Sequence, residues 1–220
     1  MTALLSLLGP VARCGAMAGR AFDRRTIETE PRLGQTIEVE VDTHITGLLE
    51  FENGAIGTII ASFDVWDSEL PRIEIYGTKG TICIDDVDPL DGPNLFGGEV
   101  LVRTRETSRW KGLPRPEAHV EWDRVPVLHR FNELSHRKNS RGIGLVDMAY
   151  AIAQGREERA SGRMAFHSLE VMEGMLESAR DGSFHRPESR FDRPAPLPID
   201  FPDSESGWEG LRASQPYPEA

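Results

Sequence analysis

Residues 43–64 alternate with a period of two on either side of Asn53-Gly54. Ile45, Gly47, Leu49 and Phe51 fall on one face, and His44, Thr46, Leu48 and Glu50 on the other. That is the repeat of a strand buried on one side. Asn-Gly between two such runs is the strongest short hairpin signal. A chain built around this hairpin must cover one face of a sheet. Every other element then either extends the sheet or lies on it.

More strands follow. Residues 55–64 return from the turn, Pro71 opens a strand over 72–76, and Gly77-Thr78-Lys79-Gly80 turns it into 81–85. Residues 99–103 and 119–122 are the fifth and sixth candidates. Sequential hairpins make a largely antiparallel sheet. Before them, residues 2–8 read as the end of a short helix stopped by Gly9-Pro10, and residues 12–42 as mixed, extended chain.

Helices come last. Residues 143–154 carry Ile143, Val146, Ala149 and Ile152 or Ala153 at helical spacing, with Gly155 at the C-terminal stop. Residues 163–181 carry the stripe Ala165, Leu169, Met172, Leu176 and Ala179, ended by Gly182. The expected fold is α+β: a largely antiparallel sheet of about six strands, helices packed on one face, the other face open for association. The expected domain is 1–186. Residues 187–220 hold seven of the 15 prolines and read as an acidic, extended or disordered tail.

A net charge of −11 disfavours nucleic acid and anionic membrane surfaces as partners. Cys14 and Cys83 form no C-x-x-C pair and imply no disulfide framework, which points to a reducing cytoplasm. Met1 to Val11 is apolar, but no positive charge precedes it as in a secretory signal. No apolar run approaches the roughly 20 residues of a membrane span.

Several motifs fail on inspection. Gly142-Ile143-Gly144 with Asp147 lacks the third glycine and the preceding strand of a dinucleotide fingerprint. The run from Asp86 to Gly92 has Leu90 and then Gly97 where a calcium loop needs oxygen ligands. His129, Glu133 and His136 would share a helix face and are a metal set by ligand type, although a solvated helix face gives the same spacing. No metal site is assigned.

The stretch Val41-Asp42-Thr43-His44 through Leu48-Leu49-Glu50-Phe51-Glu52-Asn53-Gly54-Ala55 resembles the C-terminal domain of the Gfo/Idh/MocA oxidoreductases. So do Ser62-Phe63-Asp64-Val65-Trp66 and Ile73-Glu74-Ile75-Tyr76-Gly77-Thr78-Lys79-Gly80-Thr81. Asn94 to Gly98, Arg141 to Ala149, and Arg159-Ala160-Ser161-Gly162 with Ala165 and His167 look like one branch of that family. The resemblance spans roughly residues 1–185. It implies a two-domain enzyme in which a Rossmann domain binds NAD or NADP and a sheet domain completes the substrate pocket and often mediates oligomerisation. Family catalysis uses a lysine in an E-K-P motif and usually a D-x-G-x-H segment. Neither occurs here: the lysines are Lys79, Lys111 and Lys138, none in that context. The match therefore starts inside the family's second half.

The functional expectation is the substrate-binding and oligomerisation half of an NAD(P)-dependent sugar or polyol oxidoreductase. It is inactive alone, because hydride transfer needs a held cofactor and a positioned base. No catalytic or cofactor-binding residue is assigned. The candidate substrate contacts are Asp64 and Trp66 at the exit of the second hairpin strand, His129, Arg141, Asp147 and His167. An Asp and a Trp together offer an acceptor and a stacking surface, and an arginine fork suits a carboxylate or vicinal diol. Each has a structural alternative: a strand-end cap for Asp64, a helix-dipole partner for Asp147, a satisfied internal histidine for His167. The expected partners are a sugar or polyol, a homo-oligomer through the sheet face, and possibly a separate Rossmann-domain chain. The alternative function is a non-catalytic small-molecule-binding or dimerisation module. A metal-dependent enzyme using His129, Glu133 and His136 is a third, weaker reading.

Overall fold

A computed structural model describes residues 1–66, 68, 70–84, 100–104, 122–126, 142–199 and 201. Its elements run α1 (Thr2–Leu8), β1 (Val11–Gly19), β2 (Arg24–Thr26), β3 (Thr36–Glu38), β4 (His44–Phe51), β5 (Ile56–Ser62), β6 (Ile73–Gly77), β7 (Gly80–Ile84), β8 (Val100–Thr104), β9 (Asp123–Val125), α2 (Ile143–Gln154) and α3 (Gly162–Asp181). The fold is α+β and every strand pairing among the described residues is antiparallel. The expectation of a single sheet is corrected: among the described residues the strands form three sheets, ordered β1-β4-β5, β2-β3 and β6-β7-β8-β9. The chain makes two compact units, Met1–Ser68 with Gly155–Pro196, and Glu69–Gln154 with Leu197–Ala220.

In the first unit the predicted hairpin is β4-β5. His44 pairs with Ser62 and Glu50 with Ile56. The loop is Glu52-Asn53-Gly54, with the Phe51 amide donating to the Ala55 carbonyl at 2.9 Å and Gly54 at φ 85°. A three-residue loop needs a left-handed residue at its end, and glycine supplies it without steric cost. The other edge of β4 pairs with β1, from Val11 opposite Phe51 to Gly19 opposite His44. The sequence VARCGAMAG has little strand propensity. Its backbone is fixed by pairing on both sides, because Cys14 also exchanges two 2.9 Å hydrogen bonds with His185.

Helix α3 lies on β1. Its N-cap is Ser161, whose Oγ accepts from the Met164 amide. The face it buries is Met164, His167, Ser168, Val171, Gly174, Met175 and Ser178. This corrects the expected stripe: Leu169 is 51% and Met172 43% exposed. Close approach, not bulk, decides which face goes inward. A Cβ on Gly174 would sit 2.2 Å from the His185 ring, and Ser178 Oγ accepts the Ala16 amide at 3.1 Å. The core joins these residues to Leu5, Val11, Cys14, Leu49, Phe51 and Phe191.

Residues 187–193 run extended over this unit. Pro187 and Phe191 are buried, Arg193 donates to the Leu7 carbonyl at 3.0 Å, and Arg190 pairs with Glu52 at 2.5 Å.

The second unit holds the four-stranded meander and α2. The Arg103 guanidinium lies 4.3 Å from the Trp122 ring centre. Helix α2 buries Asp147, Tyr150 and Ala151, and Tyr150 meets Phe201 edge-on at 5.3 Å. The expected stripe is again not the buried one, since Ile152 is exposed. No helix among the described residues is long and apolar enough to cross a membrane.

Candidate functional site

Chain reversal brings polar and aromatic side chains together where β5 ends. Asp64 sits two residues past β5, and its side chain is 8% exposed. Thr43 Oγ1 donates to it at 2.7 and 2.9 Å, and the Ala21 amide donates at 3.1 Å. Arg25, from β2, donates to it at 2.5 Å and to the Phe63 carbonyl at 2.7 Å. The hydrogen bonds from Thr43, followed by those from Ala21 and Arg25, outweigh burial and hold the Asp64 carboxyl below its usual range. Asp64 is therefore an ionised anchor that ties the β2-β3 arm to the end of the sheet.

A second chain of polar contacts starts from the same residue. The Asp64 amide donates to Ser62 Oγ at 3.1 Å, Ser62 Oγ meets His44 Nδ1 at 2.8 Å, and His44 Nε2 meets Thr46 Oγ1 at 3.2 Å. In a neutral imidazole one of these nitrogens donates and the other accepts, so the network takes up both. Above it, Trp66 is 94% exposed and meets the Phe22 ring edge-on at 6.5 Å. The Arg25 guanidinium lies 5.3 Å from the centre of the Phe22 ring. An open indole face beside fixed polar groups can take the C–H face of a sugar ring.

Of the candidates read from sequence, Asp64 and Trp66 fall together here. His167 does not. It is fully buried in the core of the first unit, where Nε2 accepts the Val11 amide at 2.9 Å and Nδ1 faces Ser189 Oγ at 2.8 Å and its carbonyl at 3.1 Å. Burial lowers its pKa, partly offset by the Ser189 carbonyl and by Glu170. Glu170 in turn accepts from the amides of Glu188 and Ser189 and from Ser189 Oγ. Burial would raise the Glu170 pKa, but those hydrogen bonds, led by the Ser189 hydroxyl, hold it low. Asp147 lies in the second unit, buried on α2 beyond its first turn, which corrects the reading of it as a first-turn dipole partner. His129, Glu133, His136 and Arg141 lie outside the described residues.

Arg25, Thr43, His44 and Ser62 were not singled out from sequence. The His44–Ser62 pair has a sequence signal, since the register about the Asn53 turn places the two opposite each other. Arg25 has none: its position depends on the fold of the β2-β3 arm.

Residues 1–83 match the family model described as the GFO/IDH/MocA C-terminal domain. Among solved structures, levoglucosan dehydrogenase in its apo form superposes with a TM-score of 0.60 at 19% identity, over 86% of this chain and 49% of that one. An NAD binding oxidoreductase from Klebsiella pneumoniae gives 0.57 at 17% identity, over 84% and 47%. An oxidoreductase from Agrobacterium radiobacter, in complex with NAD+, L-tartaric acid and magnesium, gives 0.53 at 19%, over 83% and 45%. At these identities the likeness is one of fold, and the chain spans about half the length of each structure. No curated protein matches the chain. Residues 1–83, from α1 into β7, are thus similar to the GFO/IDH/MocA C-terminal domain.

Proposed function

We propose that these 220 residues act as the substrate-binding and oligomerisation half of an NAD(P)-dependent sugar or polyol oxidoreductase, and that they transfer no hydride alone. The family match over residues 1–83 carries this reading. Levoglucosan dehydrogenase, solved elsewhere with NADH and L-sorbose, shares the fold. The described residues do not fit a dinucleotide. The pairings among the described residues are antiparallel, and none of these strands leads through a G-x-G-x-x-G turn into a helix. NAD or NADP would therefore be held by a Rossmann domain, in the same polypeptide or in a separate chain.

Trp66 is the proposed sugar-facing surface, with Asp64 fixing the strand end beneath it. His129, Arg141 and Asp147, which belong to the second unit, are proposed substrate contacts in their own right. For His167 the engagement of both ring nitrogens favours the structural role. A cytoplasmic location is part of the proposal, supported by the free thiols of Cys14 and Cys83.

The outer face of the β1-β4-β5 sheet exposes Met17, Leu48, Ile56 and Ile60. An apolar sheet face of this kind favours self-association, and supports the alternative of a dimerisation module.

Purified protein is assayed for NAD(P)H formation against a panel of sugars and polyols, alone and co-expressed with a family Rossmann domain that carries G-x-G-x-x-G and E-K-P. Turnover is expected only in the second case, and should fall on Trp66→Ala. Sustained turnover by the 220 residues alone, or none in either arm, sinks the proposal.

A further inference from the structure

Which ring can stack on Trp66 depends on the charge left over around it. The arginines of the neighbouring β2-β3 arm are already engaged. Arg20 Nε lies 3.1 Å from Asp23 Oδ1, Arg24 Nε 2.7 Å from Glu38 Oε1, and Arg25 Nη2 2.5 Å from Asp64 Oδ1. Arg32, in the loop between β2 and β3, donates to Gln35 at 3.1 Å. The carboxylates are not balanced in the same way. Glu28, Glu30, Glu40 and Asp42 are exposed and have no ion-pair partner among the described residues. Asp42 directly precedes Thr43, whose hydroxyl donates to Asp64.

Arg25 has little to give a ligand. Its Nη2 is shared between Asp64 and the Phe63 carbonyl, its Nε is closed off from solvent, and its guanidinium lies against the Phe22 ring. An anion that drew Nη2 away would leave the Asp64 carboxylate, 8% exposed, without its counter-charge. A nearly buried charge stripped of its partner is costly. Trp66 itself offers an open face, with the half-exposed Phe22 ring edge-on beside it. The face of an aromatic ring is its negative side, so it attracts C–H groups and cations and gives nothing to a carboxylate or a phosphate.

We propose that the ring taken by Trp66 carries no negative charge: it is an uncharged, unphosphorylated sugar or polyol, and the acids and phosphate esters of the same ring are excluded. This rests on the reading of Trp66 as the sugar-facing surface. The excluding charge is that of the unpaired arm carboxylates, Asp42 foremost, acting where no uncommitted cation answers it.

Matched sets of probes test it on the full 220 residues: a neutral hexopyranose, its C6 uronate and its 6-phosphate, in the gluco, galacto and manno configurations. Binding is read from the indole N–H signal of Trp66 in nitrogen-15 NMR, identified among the four tryptophans by its loss in Trp66→Phe. The neutral member of at least one set is expected to bind about tenfold more tightly than its two anions. Raising the salt from about 20 mM to about 500 mM should close most of that gap. Asp42→Asn should narrow it about threefold at low salt by strengthening only the anions. An anion that binds as tightly as its neutral partner overturns the inference and leaves Trp66 as the sugar surface. A gap that salt and Asp42→Asn both leave unchanged is one of shape, and overturns it too. If no probe of any set moves the Trp66 signal, the sugar-facing reading itself falls, and the inference with it.

Discussion

Arg25 Nη2 lies 2.5 Å from Asp64 Oδ1, and this pair joins an arm formed by residues 21–42 to the end of β5. The arm's own sheet is only the three-residue pairing of β2 with β3. So short a ribbon is not stable by itself. Its place in the structure rests on what Asp64 accepts from Thr43, Ala21 and Arg25.

Asp64→Asn puts an amide NH2 where two donors already point, so one of them loses its acceptor. The arm should loosen before the sheet does. The expected outcome is a lower melting temperature together with faster tryptic cleavage at Arg32. Because the folded pKa of Asp64 lies below its ordinary 3.8, its contribution is complete above that value and is lost as pH falls through the folded one. Unchanged cleavage and melting in Asp64→Asn would show that the anchor is not this carboxylate.

His167 makes a different pH claim. Burial lowers its pKa from the ordinary 6.5, so protonation favours the unfolded chain. The sign follows: stability is full above about 6.5 and declines as pH drops from there toward the folded value. His167→Phe keeps a ring but leaves the Val11 amide without an acceptor and Ser189 without its donor. A cost of about 2–4 kcal/mol is expected from two buried hydrogen bonds. Urea midpoints from pH 8 to pH 5 check both points. The wild-type curve should slope below 6.5, and the difference between it and the variant should shrink there.

At Gly174, α3 comes close to the ring of His185. A Cβ there would lie 2.2, 2.6 and 2.9 Å from three atoms of the His185 ring. The bridge to Cys14 fixes the His185 backbone and Glu177 Oε2 lies 3.2 Å from its Nδ1, so moving the ring aside would cost that contact. Gly174→Ala should cost about 1–3 kcal/mol by overpacking. Gly162→Ala, with nothing within 4 Å of the new carbon, should be neutral or stabilising by up to about 1 kcal/mol. Equal melting temperatures for the two variants would refute the close approach.

The same contact explains what could be read in advance. The β4-β5 hairpin, the β6-β7 turn, and both long helices with their glycine stops were legible, because alternation, turn residues and helix stops are local signals. The buried face of α3 was not. Counting hydrophobic residues selects Leu169 and Met172, but a helix pressed onto an Ala- and Gly-rich strand buries its small and hydrogen-bonding side. β1 was missed for the complementary reason: its pairing comes from β4 and from residue 185, both distant in sequence. At the site, Asp64 and Trp66 stood out as residue types, whereas Arg25 reaches Asp64 only through the fold of the arm.

Residues 187–196 carry the last prediction. The composition of this stretch resembles a linker, yet Phe191 is 6% exposed and its ring lies 5.3 Å from His167. Ser189 faces His167 Nδ1 and donates to Glu170, and Arg190 reaches Glu52. Ending the chain at residue 186 removes all of these at once. Loss of a buried phenylalanine alone costs about 3–5 kcal/mol, and stranding the polar groups of His167 and Glu170 adds about 1–3 kcal/mol. That sum approaches the whole stability of a small domain. A chain of residues 1–186 should therefore lose its cooperative thermal transition, and restoring residues 187–196 should recover it. Phe191→Ala in the full chain should fall between the two. A 1–186 chain that melts sharply at the wild-type temperature would mean that the extended segment merely rests on the unit without holding it together.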